Sequence, residues 1–180
     1  MGINLACLLW GFAEATLFFI VPDVPLTTVA TWRGRRAALV ACAYAVAGAV
    51  AGGAVIYVWA AHDQAAVLAA LDRIPAIAPG MIEDARNDLA RFGLGALPIG
   101  AFSGVPYKIY AAVAGADGIE PLRFLAVSIP VRAARFLAAV LAASWIDRRL
   151  RRRFSLRARL ALLGGFWVLF YAAYFAALPN

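Results

Sequence analysis

Five ionisable residues stand inside stretches otherwise apolar enough to lie in a bilayer: Glu14, Asp23, Lys108, Arg132 and Arg135. Lys108 is the only lysine of the chain, and Arg132 and Arg135, three apart, share one helical face. An ionisable group at membrane depth costs about 2.5–3.5 kcal/mol on insertion scales, so such groups face partners, a water-filled cavity or a substrate path. Guanidinium groups fork onto phosphate oxygens and an ammonium adds a point charge, so the three bases suit an anionic phosphate group. The two carboxylates could balance that charge or carry protons. Equally, acids and bases could simply neutralise one another and lock their segments together.

Other chemistry is thinly represented. His62 is the single histidine and stands at the end of an apolar block, without the second His or nearby Cys that zinc spacing needs. Cys7 and Cys42 are isolated in apolar blocks and form no CxxC pair. With no Asp-rich magnesium motif, no His-based phosphatase signature and only one, interfacial histidine for any Ser-His-Asp arrangement, the chain is expected to be neither an enzyme nor a holder of metal or cofactor.

The elements that position the five charges follow from composition. Of 180 residues, 64% are hydrophobic and the mean hydropathy is +0.80, against an apolar fraction of roughly 45–50% in soluble domains. The apolar residues fall in blocks Ile3–Val21, Ala37–Ala61, Leu94–Ala116, Phe124–Ile146 and Leu160–Leu178, each near the ~20 residues that cross a hydrocarbon core as helix. This predicts an all-α polytopic membrane protein, one domain over 1–180. Met1–Val21 has no Lys or Arg ahead of its apolar core and carries Glu14, so it reads as mature protein rather than a secretory leader.

Two blocks are broken. Pro22-Asp23-Val24-Pro25 follows the first, and Gly104-Val105-Pro106 interrupts the third, with Gly115 near its end. Proline inside a helix loses a hydrogen bond and clashes with the preceding turn. Broken backbone survives in lipid only where protein buries it or water reaches it, so re-entrant hairpins are expected over 3–36 and 93–120. The uncharged 37–61 is the clearest span, and its Ala41, Ala45, Gly48 and Gly52 form a small-residue stripe suited to close packing within the molecule. Residues 62–92 hold five acids and three arginines, and Ile82, Ala85, Leu89 and Phe92 repeat at helical period; two short amphipathic helices are expected there. Spans follow at 123–146 and 160–178, separated by 147–159 with seven arginines and one acid.

Arginine-rich short loops stay cytoplasmic, which puts Arg33–Arg36 and 147–159 inside and the acidic 62–92 outside. If both blocks between 93 and 147 crossed, the seven-arginine loop would fall outside; the Gly-Pro-Lys-broken block is therefore the one that turns back. The expected architecture is an inverted-topology repeat: two re-entrant hairpins whose breaks meet near the midplane, plus about three full spans.

The residues Glu14 and Pro22-Asp23-Val24-Pro25, then Phe92-Gly93, Gly104-Val105-Pro106-Tyr107-Lys108, Ala114-Gly115, Phe124 and Arg132-Ala133-Ala134-Arg135-Phe136, resemble the pattern of the DedA/VTT (SNARE-associated Golgi protein) family, especially its short bacterial members. The resemblance covers most of residues 10–140. It implies a bacterial inner-membrane protein with two facing re-entrant hairpins that moves a phosphate-bearing lipid between leaflets, as flippase or scramblase of phospholipid or polyprenyl-phosphate, with proton coupling open. By the same resemblance, Glu14 and Asp23 stand where the family keeps functional acids, and Lys108 stands where many members have an arginine. Membrane lipids with anionic headgroups are the expected partners. A non-transporting scaffold or assembly protein, and a proton-coupled transporter of ions or small solutes, remain as alternatives. The net charge of +7 invites a nucleic-acid reading, but arginines flanked within a residue or two by spans fit topology and headgroup contact better, and no nucleic acid is expected.

Overall fold

The computed structural model describes residues 2–75 and 77–177. Among them the chain forms α1 Gly2–Ala15, α2 Asp23–Arg33, α3 Arg35–His62, α4 Gln64–Leu71, α5 Pro79–Phe92, α6 Ala96–Ser103, α7 Tyr107–Ala116, α8 Pro121–Leu150 and α9 Leu156–Ala177, with a 3-10 turn Gly93–Gly95 before α6 and no strand. Helices α3, α8 and α9 are long and apolar enough to cross a membrane. Their 28, 30 and 22 residues reach about 42, 45 and 33 Å, against a hydrocarbon core of about 30 Å. By the same rise α1 and α2 reach only about 21 and 16 Å, and α6 and α7 about 12 and 15 Å. The protein is thus an all-α protein with three membrane-length helices and two pairs of helices too short to cross.

Local chemistry ends each short helix. The Thr16 hydroxyl donates back to the Phe12 and Ala13 carbonyls as α1 stops, and Pro22 stands just ahead of α2. The second break turns at Gly104, whose φ of 98° is open to glycine at little cost, and Pro106 then starts α7. Asp63 caps α4 by accepting from the Ala66 N–H at 2.9 Å, and Glu120 caps α8 by accepting from Leu122 and Arg123.

Packing uses the small residues inside the molecule. A Cβ on Gly11 would collide with the Ala45 backbone, one on Gly48 with the Leu8 carbonyl, and one on Gly52 with Phe12 and Ala15, so α1 lies directly on α3. Helix α7 sits against α3 by other means. The Tyr107 ring occupies the space over Gly53, Gly115 meets the Tyr57 carbonyl, and Tyr107 and Tyr57 both stack on Phe124, at 5.9 and 5.6 Å. The Tyr57 hydroxyl donates to the Ile119 carbonyl, joining the C-terminal part of α3 to the start of α8. At the other end Thr31, Asp147, Leu150 and Arg159 line one cavity. The arginines of 33–36 and 148–159 therefore gather at one end of the molecule, and the acidic connector lies toward the other.

Several expected boundaries move. Pro25, taken as part of a break, lies in the first turn of α2, where the lost N–H has no helical partner in any case. Gly115, also taken as a break, is buried inside α7, and its smallness serves the contact with Tyr57. The basic stretch 147–159 is mostly helix: α8 continues to Leu150 and α9 begins at Leu156, because Asp147 draws Arg151 and Arg159 across a short turn. The connector holds two helices, but α4 (QAAVLAAL) has no polar face and buries Val67 and Leu71. On α5, Ala85 and Leu89 are buried while Phe92 is exposed. Leu178, the expected end of the last span, lies outside the described residues.

Candidate functional site

The site forms where the two breaks approach each other beside α8. Arg132 projects from α8 to Glu14 near the end of α1, and their buried side chains form an ion pair. One turn on, Arg135 reaches Asp23, the first residue of α2, at 3.2 Å; a carboxylate there also meets the positive end of the helix dipole. From the second break, the Lys108 ammonium donates to the Phe18 carbonyl in the first. That carbonyl is free because the break has released it from a helix. The structure thus brings together all five ionisable residues singled out in the sequence, and Glu14, Lys108 and Arg132 are each at most 4% exposed.

A cavity of about 220 Å³ opens at this junction, lined among others by Glu14, Val21, Lys108, Arg135, Tyr171 and Tyr174. It has room for several waters, at about 30 Å³ each in the liquid. Gly104 and Pro106 of the second break also line it. Three bases against two acids leave one positive charge in excess. Among the described residues, Asp23 Oδ1 and Arg132 Nε are buried without hydrogen-bond partners, so the cluster keeps polar capacity in hand. Chemically it can hold an anion and exchange hydrogen bonds with it. Among the described residues no group of His, Cys, Asp and Glu is arranged to hold a metal ion, and His62 is exposed, its Nδ1 2.8 Å from the Val58 carbonyl. Cys7 and Cys42 are buried and unbridged.

Several contributors were not legible as site residues. The Arg132 guanidinium lies over the rings of Tyr107 at 4.9 Å and Phe136 at 4.7 Å, an aromatic clasp that helps a cation stay out of water. The Tyr171 hydroxyl accepts from the Val21 N–H at 2.8 Å, and Trp167 donates to Thr27 at 3.1 Å, so α9 satisfies polar groups of the first break and α2. Tyr107 adjoins Pro106 and Lys108 in sequence and could have been suspected from that alone. Nothing in the last span distinguishes Trp167 and Tyr171 from ordinary lipid-facing aromatics.

No family model matches the chain, no curated protein matches it, and no solved structure matches it.

Proposed function

We propose that the chain is a membrane lipid transporter, a flippase or scramblase that moves a phosphate-bearing lipid between leaflets, built as the DedA/VTT resemblance implies. The observation that carries this reading is the meeting of two helix breaks at a cluster of three bases and two acids, all buried but Arg135, beside a cavity. Four helices too short to cross support treating α1–α2 and α6–α7 as re-entrant hairpins of an inverted repeat. The gathering of both arginine clusters at one end supports a cytoplasmic placement of that end, in a bacterial inner membrane.

A headgroup crossing hydrocarbon unaided meets a large desolvation cost, and fixed charges with freed backbone groups lower it by substituting for water. The excess positive charge and the N-terminus of α7, where Pro106 and Lys108 line the cavity, suit a phosphate. Acyl tails need no such help and remain in lipid while the headgroup passes Lys108 and Arg135. The test is purified protein in liposomes with fluorescent phospholipid placed in one leaflet. Wild type is expected to equilibrate the label at least tenfold faster than empty liposomes, and Lys108→Ala and the paired Arg132→Ala/Arg135→Ala change to lose most of that rate. Wild type no faster than empty liposomes, with or without a proton gradient, would leave the cluster as a lock between hairpins and the protein as a scaffold.

A further inference from the structure

A second and larger cavity, about 430 Å³, lies between α2, α8 and α9. Its walls are apolar or weakly polar, with Thr27, Thr31, Ala139, Ala143, Leu163 and Phe166 among them. Along α8 it extends from Ala139 to Leu150, about 16 Å at 1.5 Å per residue, or roughly the depth of one leaflet. Asp23 ends it at the centre of the molecule, while Arg135, the partner of Asp23, lines the smaller cavity instead. The Asp23–Arg135 pair is therefore a partition between the two. Helix α9, which forms one wall, has Arg159 as its one buried residue among those described and exposes Leu162, Phe166, Val168 and Leu169. The chamber thus borders lipid.

Its outer end is charged. Asp147 is buried and accepts from both Arg151 and Arg159, so one carboxylate faces two guanidinium groups. Arg159 is only 8% exposed, and among the described residues its Nε has no partner. An apolar slot alone would say nothing about its occupant. A slot one leaflet deep, bordering lipid and ending at a buried arginine with an unused N–H donor and, on its exposed side, the excess positive charge of Arg151, has the complementarity of an anionic membrane lipid.

We infer that this chamber is a lipid site distinct from the central cluster, holding one hydrocarbon chain of an anionic phospholipid between α2, α8 and α9, with its phosphate at Arg159 and Arg151. The site does not depend on transport and is read by binding alone. The experiment titrates the detergent-solubilised full chain with phosphatidylglycerol or with phosphatidylcholine of the same acyl chains and counts bound lipid by native mass spectrometry. One phosphatidylglycerol is expected to bind at about tenfold lower concentration than phosphatidylcholine. Ala143→Phe, which fills the slot without touching a charge, is expected to remove it while helicity and elution volume stay as in wild type. Arg159→Gln is expected to erase the preference for the anionic lipid, and Lys108→Ala to leave it. Equal binding of the two lipids by wild type would overturn the inference. So would retention of the lipid by Ala143→Phe, or its loss in Lys108→Ala alone, which would assign it to the central cavity.

Discussion

The two helix breaks solve the same problem with different materials. The first, between α1 and α2, carries the acids and is held by backbone laid on backbone, with Gly11 and Gly48 leaving no space for a side chain. The second, between α6 and α7, carries the lysine and is held mainly by rings set into glycine notches, Tyr107 at Gly53 and Tyr110 at Gly100, with one backbone contact, Gly115 on the Tyr57 carbonyl. Charge follows the same division. The acids of the first break need bases from another helix, whereas Lys108 needs only a carbonyl that the first break has already freed. An ion pair depends on two side chains, and a lysine–carbonyl bond on one side chain and a fold.

Removing partners should expose that difference most strongly. Arg132→Ala strands a buried carboxylate and is expected to destabilise by about 3–5 kcal/mol in reversible unfolding from mixed micelles. Pairing it with Glu14→Gln should recover most of the loss. Lys108→Ala is expected to cost less, about 1.5–3 kcal/mol, since it leaves a carbonyl rather than a charge without its partner. Equal losses for the two single changes would erase the contrast between the breaks.

Packing gives a smaller effect of the same kind. Gly48→Ala puts a methyl group against the Leu8 carbonyl and is expected to cost about 3 kcal/mol, the upper end of overpacking. Gly100→Ala meets a side-chain ring rather than backbone, that of buried Tyr110, and should cost less, the ring giving way at the expense of its bond to Asp88. Comparing folded yield and unfolding midpoint for the two variants reads this directly. If Gly100→Ala proves the more damaging, the second break is the rigid one. Smallest of all, Tyr110→Phe removes the 2.9 Å bond to Asp88 that ties α7 to α5, and is expected to cost about 1 kcal/mol in the same unfolding measurement.

Much of this was legible in the residues, for physical reasons. Hydropathy blocks marked the three long helices because lipid demands long apolar runs, and Gly104-Val105-Pro106 marked a break because glycine and proline act locally. The five clustered charges, four of them buried, were legible as a group, since a charge at membrane depth needs company. Which acid would meet which base was not, because Glu14 and Arg132 stand 118 residues apart and their pairing belongs to the tertiary fold. The acceptor for Lys108 was hidden for a different cause: it is a backbone carbonyl, and carbonyls leave no mark in a sequence. The arginine run 148–159 read as a loop by charge, although arginine forms helix well, and only the burial of Asp147 between two of those arginines reveals the tight elbow. Pro25 and Gly115 read as breaks by type, yet a proline in a first turn and a glycine under a carbonyl both sit comfortably in helices.

The separation of Glu14 from Arg132 also has a meaning in time. A ribosome adding 5–20 residues per second needs about 6–24 s to make the 118 residues between them. Throughout that interval the acid of α1 lacks its Arg132 partner, and α1 is too short to reach across the bilayer. Helix α1 can lie on α3, Gly11 against Ala45 and Gly48 against Leu8, as soon as α3 is made, but its charge is neutralised by Arg132 only once α8 follows.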